Sequence, residues 1–230
     1  MPSDRNNPLA NRLAFNGLNI FWRDKCAVTA FILFLISFIV SRQSVSSVKL
    51  CHISKHIAVV FDDGDTLVVN GFRPYPMLSV FKFHQALAVL DSLARGGLPL
   101  ATRIPVRRSD LLPDTWSPLR EVCPAGGEFT VAELLTYSVA QSDNNVCDVL
   151  FRFLGGTEAV DRYIAGLGIG ETVIVADEET MHRRTDNQYL NRTTPLAAVR
   201  LLELFRRGEL LSAAYGDFLL ETMFATETGP

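Results

Sequence analysis

Two β-rich runs lie next to each other in the sequence, and the strong patterns that follow them are helical. The runs are residues 56–61 (HIAVVF) and 66–70 (TLVVN), and residues 62–65 (DDGD) join them. Two β-rich runs joined by so short a turn predict an antiparallel hairpin. A single hairpin followed by many helices predicts the α+β fold class.

Helix boundaries can be placed where capping and terminating residues stand beside apolar patterns. Thr130 and Glu133 match a capping box, and the pairs Gly96-Gly97 and Gly155-Gly156 end apolar runs. The segment 104–128 is predicted to be a long polar stretch. The segment 173–192 is also largely polar and is predicted to be an extended loop. The predicted helices are Ser79–Arg95, Thr130–Ala140, Asn144–Leu154, Thr157–Ala165, a helix that begins at Thr194-Pro195, and Leu210–Phe224.

Composition excludes several classes of protein. The chain has 230 residues, of which 48% are hydrophobic, and its formal net charge is −3. This length suits one domain, and the apolar content is too high for a disordered chain. A nucleic-acid-binding protein would carry a basic excess, so no nucleic-acid partner is expected. The four cysteines show no C-x-x-C spacing, and neither a metal site nor a cofactor is predicted.

The N-terminal segment, residues 1–47, predicts export or membrane anchoring. Residues 26–40 (CAVTAFILFLISFIV) carry no charge, and Arg23 and Lys25 precede them. This apolar run has the length of a signal-peptide core and is shorter than an ordinary membrane span. A cleaved signal and a retained anchor both remain open, and a buried core helix is the alternative. We expect a periplasmic protein that meets the membrane only through this segment.

The sequence Ser79-Val80-Phe81-Lys82 is an S-x-x-K motif at a predicted helix start. Residues three apart lie on one helix face, so the amine is expected beside the hydroxyl. A serine needs an adjacent base to become a nucleophile, and a lysine with a lowered pKa can supply one. The motif alone is weak, because residues 46–49 (SSVK) contain a second copy that follows the apolar segment.

A second motif, Ser142-Asp143-Asn144, stands 63 residues after Ser79. Taken alone, these residues could simply cap a helix, since serine, aspartate and asparagine are all good N-caps. An S-x-x-K followed by an S-D-N is, however, the combination found in class A β-lactamases and penicillin-binding proteins. The two motifs together favour a serine acyl-transfer site.

Residues 75–90 (YPMLSVFKFHQALAVL), 116–118 (WSP) and 140–145 (AQSDNN) resemble a class A serine β-lactamase, in particular its extended-spectrum branch. The resemblance runs from about His56 to Phe224. It implies a β-lactamase/transpeptidase-like fold and a small-molecule β-lactam substrate. It also implies a role for each matched residue: Ser79 as nucleophile, Lys82 as its base, Ser142 as proton donor to the leaving nitrogen, Asn144 as holder of substrate and lysine, and Trp116 at the cleft mouth.

The same resemblance implies a glutamate that activates the deacylating water. Counting back from Thr194-Pro195 places it at Glu178, with Glu179 as the competing assignment. The amide that holds the water in most of the family falls at His182, and the extended-spectrum branch tends to carry histidine there. Residues 178–182 (EETMH) are therefore expected to turn into the site.

The third family motif, K-T-G, does not occur in these 230 residues; residues 227–229 read E-T-G. The family's five-stranded antiparallel sheet takes three strands from the C-terminal part, so residues 48–230 are expected to form an incomplete catalytic domain. Removal of one oxyanion donor typically costs about 10²–10³ in rate. We therefore expect a monomeric β-lactamase by family, with little activity in this chain. A penicillin-binding transpeptidase or lactam sensor, or an inactive truncated remnant, is the alternative.

Overall fold

The computed structural model describes residues 57–61 and 65–226. The strands in these residues are β1 (Ile57–Val60), β2 (Thr66–Val69), β3 (Tyr75–Pro76), β4 (Arg103–Arg107), β5 (Gly126–Thr130) and β6 (Arg192–Thr193). The α-helices are α1 (Phe81–Gly96), α2 (Pro118–Val122), α3 (Val131–Leu135), α4 (Asn144–Leu154), α5 (Thr157–Gly166), α6 (Glu178–Arg183), α7 (Pro195–Arg206) and α8 (Ala213–Phe224).

The predicted hairpin is confirmed. Strands β1 and β2 pair antiparallel, with Ile57 opposite Val69 and Val60 opposite Thr66. Helix α7 packs against β1, and Ala58 and Val59 in the middle of the strand are buried. Burial of one face by a helix is what a short hairpin needs to be stable.

Helix α1 lies at the centre of the fold and follows a 3₁₀ turn at Leu78–Val80. Its apolar residues contact α4 and α5, and they include the fully buried Phe81, Leu87, Leu90 and Leu93. The helix ends at Gly97, whose φ of 62° is left-handed and suits glycine. The predicted helix Ser79–Arg95 is confirmed, although Ser79 lies in the 3₁₀ turn rather than in the α-helix.

The polar stretch predicted for residues 104–128 is structured, and the tally of a single hairpin was wrong. Strands β4 and β5 pair antiparallel over five residues each, and α2 lies between them in sequence. In β4 the charged Arg103 and Arg107 are exposed, while Ile104 and Val106 are buried. This alternation of period two is a strand pattern that the charged residues concealed. The α+β class holds, with three two-stranded sheets in the described residues.

The S-D-N segment joins two helical stretches, as predicted. Thr130 and Glu133 form the expected capping box at the start of α3, which continues as a π-helical turn over Thr136–Ala140. Helix α4 has the predicted bounds, and Gly155 ends it with a left-handed φ of 88°. Ser142 and Asp143 therefore lie in the short connection between two helical segments, and Asn144 is the first residue of α4.

The extended loop predicted for residues 173–192 is also wrong in part, because it contains α6 and a 3₁₀ helix at Thr185–Tyr189. Asp177 caps α6 by accepting the Thr180 N–H at 2.8 Å. Glu179 and Arg183 then form an i,i+4 ion pair at 2.7 Å. Local capping and pairing thus contribute to the folding of a polar segment that has no apolar stripe.

The predicted export segment lies outside the described residues, as do Cys26 and Cys51. Among the residues that the structure describes, Cys123 and Cys147 are free thiols. No helix within 57–61 and 65–226 combines the length and the apolar character that crossing a bilayer requires.

Candidate active site

Ser79 is half-buried in the 3₁₀ turn that precedes α1. The residue before it, Leu78, has a φ of 44°. A left-handed φ is unfavourable for a side chain such as leucine, and strained backbone of this kind is concentrated at functional sites. The turn presents the Ser79 hydroxyl at the surface of the core instead of inside the helix.

The Lys82 amine lies at the centre of a polar cluster, and its side chain is 2% exposed. Its Nζ lies 3.4 Å from Ser79 Oγ, so the spacing of the S-x-x-K motif does bring the two groups together. The same nitrogen lies 2.8 Å from the backbone carbonyl of Ser142 and 3.2 Å from its Oγ. A buried ammonium is tolerated only when oxygen atoms surround it in this way.

Ser142 joins the two motifs. Its hydroxyl donates to Ser79 Oγ at 3.0 Å, and it accepts from Lys82 Nζ. The Ser142 backbone has a φ of 56°, a left-handed conformation that turns this hydroxyl back towards α1. The Ser79 hydroxyl, the Lys82 amine and the Ser142 hydroxyl thus form a closed triangle through which a proton can move.

Asp143 caps a helix, while its two neighbours face the lysine. Its carboxylate accepts the Val146 N–H at 3.0 Å, the Leu119 N–H at 2.8 Å and the Ser117 hydroxyl at 3.0 Å. Burial raises the pKa of Asp143, although these hydrogen bonds oppose the rise. Asp143 therefore has the capping role, whereas Ser142 and Asn144 contact the Lys82 amine.

The Asn144 side chain is held at both ends. Its Oδ1 accepts from Lys82 Nζ at 2.6 Å, and its Nδ2 donates to Thr115 Oγ1 at 2.8 Å. Sequence reasoning missed Thr115, whose one available signal was its position directly before Trp116. Fixing both ends orients the amide on the wall of the cleft.

The structure brings Glu178, rather than Glu179, to the site. Glu178 Oε1 lies 3.0 Å from Lys82 Nζ, and its side chain is 13% exposed. Glu179 is 49% exposed and pairs with Arg183 at the surface. Both lie in the first turn of α6, and adjacent helical residues point in different directions. The geometry therefore favours Glu178 in the choice that the sequence left open.

Asp148 is a second site-adjacent residue that sequence reasoning missed. Its two carboxylate oxygens accept the backbone N–H groups of Glu178 and Glu179 at 2.8 and 2.9 Å. Burial is the main reason that the pKa of Asp148 is raised to about 7; the hydrogen bond from the Glu178 N–H opposes the rise, and the nearby Asp177 carboxylate adds to it. No local sequence signal marks this residue, because the contact joins α4 to a segment 30 residues away.

The other two predicted binding residues lie at the edge of the cleft. Trp116 is 61% exposed, and its indole N–H donates to the Gln141 carbonyl at 2.9 Å. His182 is exposed and lines a cavity of about 220 Å³ together with Thr115 and Glu178. Among residues 57–61 and 65–226, no group of three or more histidine, cysteine or acidic side chains is placed to hold a metal ion.

Helix α8 ends at Phe224, and residues 227–229 lie outside the described residues. The sequence has no K-T-G motif from which a second oxyanion donor and a substrate clamp could come. The described part of the site therefore holds the hydroxyls of Ser79 and Ser142, the amide of Asn144 and the carboxylate of Glu178, all around Lys82.

Comparison with known proteins matches the same part of the chain. Residues 49–230 match the model of the β-lactamase enzyme family. A β-lactamase of Bacteroides uniformis is 43% identical over 176 residues, which cover 75% of this chain and 59% of that protein. The extended-spectrum β-lactamase PER-1 of Pseudomonas aeruginosa is 40% identical over 171 residues, which cover 74% and 55%. The chain thus spans less than two thirds of the length of these relatives.

Solved structures agree with the sequence relatives. A β-lactamase from Chitinophaga pinensis superposes with a TM-score of 0.72 at 47% identity, covering 73% of this chain and 62% of the other. A class A β-lactamase from Bacteroides cellulosilyticus gives a TM-score of 0.72 at 40% identity, covering 75% and 62%. Fold, motifs and relatives agree, and the chain belongs to the β-lactamase family, among its class A members.

Proposed function

We propose that this protein opens the amide bond of β-lactam antibiotics by way of an ester on Ser79. The observation that supports the proposal most directly is the convergence of Ser79, Ser142, Asn144 and Glu178 on the buried Lys82 amine. A hydroxyl beside a base that is itself oriented by further polar groups is the general arrangement of an activated nucleophile. The extended-spectrum activity named for PER-1 is the substrate range that we propose to test first.

The distances support the following proposal for the proton transfers in the acylation step. A cationic amine cannot accept a proton, so Lys82 first gives one to Glu178, whose carboxylate lies 3.0 Å away. Lys82 then takes the Ser79 proton as Ser79 Oγ attacks the lactam carbonyl carbon. Ser142 passes that proton from Lys82 to the lactam nitrogen as its bond to the carbonyl breaks, and Glu178 returns its proton to Lys82. Asn144 and Trp116 hold the substrate.

In the deacylation step, Glu178 removes a proton from water, and the resulting hydroxide attacks the ester carbonyl. His182, on the same cavity as Glu178, holds this water in place. The bond to Ser79 Oγ then breaks, and the serine recovers its proton through Lys82. General-base help of this kind typically contributes about 10²–10⁴ in rate.

Removal of the Glu178 base should trap the ester. We expect Glu178→Gln to take up a penicillin on Ser79 and to release it at least about 10²-fold more slowly than the parent chain. Intact-mass spectrometry over time measures both the uptake and the release. Glu179→Gln is the matched control, because Glu179 pairs with Arg183 at the surface, and it should behave as the parent does.

Two outcomes would contradict this assignment. If the parent chain keeps the penicillin label as long as Glu178→Gln does, the protein is a penicillin-binding transpeptidase or a lactam sensor. If Ser79→Ala is labelled as readily as the parent, Ser79 is not the nucleophile.

We also propose that the protein is a periplasmic monomer that acts on small molecules and binds no nucleic acid. Support for export comes from the uncharged run at residues 26–40 and the basic residues before it. Cell fractionation and N-terminal sequencing of the mature protein would distinguish a cleaved signal from a retained anchor.

A further inference from the structure

Arg120, in the helix α2, lies beneath the loop that forms one wall of the cleft. The loop comprises residues 111–117, between β4 and α2. Arg120 Nη1 donates to the backbone carbonyls of Leu112, Pro113 and Thr115, and the last two distances are 2.6 and 3.0 Å. The guanidinium thus contacts carbonyl oxygens along most of the length of the loop.

These carbonyls have few alternative donors. Residues 111–117 belong to neither a strand nor a helix, so no ladder of backbone hydrogen bonds satisfies them. Asn145 contacts the loop at Leu112 alone, where its amide donates to the carbonyl at 3.1 Å and accepts the N–H at 3.2 Å. The Arg120 side chain is only 22% exposed, so much of its guanidinium is turned towards the loop and away from bulk water.

The same loop carries two residues that meet the S-D-N turn. Thr115 Oγ1 accepts from Asn144 Nδ2 at 2.8 Å, and the Trp116 carbonyl accepts the Asn144 N–H at 3.0 Å. The Trp116 indole N–H donates to the Gln141 carbonyl at 2.9 Å. A shift of the loop would therefore move the Asn144 amide and the Trp116 ring together.

We propose that Arg120 is a positioning residue for acylation: it fixes the Thr115–Trp116 wall and, through Thr115, the orientation of the Asn144 amide. The inference rests on the proposed function for its catalytic part. Asn144 contacts Lys82 directly, so a misplaced wall weakens substrate binding and the placement of the amine at the same time. Arginine suits this task because its rigid, planar guanidinium holds Nη1 on the loop carbonyls while Nη2 pairs with Glu121, whereas a lysine ammonium has no second nitrogen to fix its orientation.

A neighbouring contact allows the positioning role to be separated from a simple charge effect. Arg120 Nη2 also pairs with Glu121 at 2.9 Å, and the Glu121 side chain is 72% exposed. An ion pair so exposed contributes little to stability, and the Glu121 side chain has no hydrogen bond to the loop among the described contacts. Glu121→Gln therefore removes the ion pair and leaves the carbonyl contacts in place.

The experiment uses the full chain with Trp22→Phe, which leaves Trp116 as the single tryptophan. Arg120→Gln, Arg120→Lys and Glu121→Gln are compared with this parent. Acrylamide quenching and the emission maximum report on Trp116. The rate of Ser79 labelling by a fluorescent penicillin, normalised to the labelled fraction at the end point, reports on acylation per competent molecule.

For Arg120→Gln we expect stronger quenching of Trp116 and a red-shifted emission. Labelling should be slower by about tenfold, which is the change in rate that corresponds to the loss of one charged hydrogen bond. Release of the label should not change, because Glu178 lies on a different element. Arg120→Lys should fall between this variant and the parent, and Glu121→Gln should match the parent.

A merely structural role would reduce the labelled fraction and leave the normalised rate and the quenching unchanged, which would overturn the proposal. If Arg120→Gln does not fold, Arg120→Lys tests the proposal instead, with the quenching of Trp116 and the normalised labelling rate as its two readouts. A parent that is never labelled overturns the proposed function, and with it the catalytic part of this inference. A labelled parent with an Arg120→Gln variant equal to Glu121→Gln overturns the role of Arg120 alone.

Discussion

At the scale of single residues, the role of a residue depends on the residues that surround it in the fold. The chain contains two S-x-x-K motifs, at residues 46–49 and 79–82, and local spacing does not distinguish them. Lys82 is distinguished by the oxygen atoms around it, which come from Ser142, Asn144 and Glu178. These three residues lie 60 or more positions away, so the environment of the amine is a tertiary property.

His84 illustrates the same point in the core. It lies on α1 and is buried. Its Nδ1 lies 3.2 Å from the Val80 carbonyl, which assigns the proton to that nitrogen, and Nε2 has no partner among the described residues. Burial lowers the pKa of His84 from 6.5 to about 4.

This burial predicts a loss of stability in acid. Between pH 6.5 and about 4 the unfolded chain binds a proton at His84 that the folded chain does not, so the free energy of unfolding falls as the pH falls. His84→Leu should remove this contribution, at most about 1.4 kcal/mol per pH unit. Urea unfolding at pH 7, 5 and 4 measures it. Equal slopes for the parent and the variant would contradict the prediction.

At the scale of elements, helix α6 depends on a contact that its own sequence does not encode. It has six residues, too few to be stable alone in water. Asp148 in α4 accepts the first two backbone N–H groups of α6 and thereby positions Glu178. The polar loop predicted for this region was wrong because the anchoring residue comes from another helix.

Burial of the Asp148 carboxyl group predicts a pH dependence opposite in sign to that of His84. Because the pKa of Asp148 is raised from 3.8 to about 7, the folded chain holds a proton there that the unfolded chain has lost. This contribution to stability is complete below pH 3.8 and is lost as the pH rises towards 7. Asp148→Asn removes it, so the unfolding free energy of the variant relative to the parent should increase with pH.

Thermal unfolding between pH 4 and 8 measures this difference, and Asp186→Asn is the control, because Asp186 is exposed. A difference between Asp148→Asn and the parent that stays constant with pH would show that Asp148 does not titrate in this window.

At the scale of the whole molecule, the described elements form one hydrophobic core around α1. Helices α4 and α5 pack on it, and Phe81 stacks on Phe151 with ring centroids 5.7 Å apart. Strands β1 and β2 form a sheet of two strands in the described residues, whereas the family sheet is expected to have five. The chain spans 55–59% of the length of relatives such as PER-1 and the Bacteroides uniformis enzyme.

A polypeptide of these 230 residues should therefore turn over nitrocefin slowly. It has the nucleophile cluster but no K-T-G strand, and one missing oxyanion donor costs about 10²–10³ in rate. Steady-state hydrolysis beside a full-length relative under the same conditions measures the deficit. A rate comparable to that of the relative would show that the strand is dispensable. Slow hydrolysis with ready labelling of Ser79, and with release from the parent still faster than from Glu178→Gln, would place the deficit in the deacylation step.

The sequence by itself determined the α+β class, the hairpin, the bounds of α4 and the two motifs that carry the family resemblance. Those features depend on neighbours within a few residues: turn residues, caps and side chains three apart on a helix. Only the tertiary structure decided between Glu178 and Glu179, revealed β4 and β5, and brought Asp148, Thr115 and Arg120 to the site. Each of these depends on contacts across the fold, which local periodicity does not record.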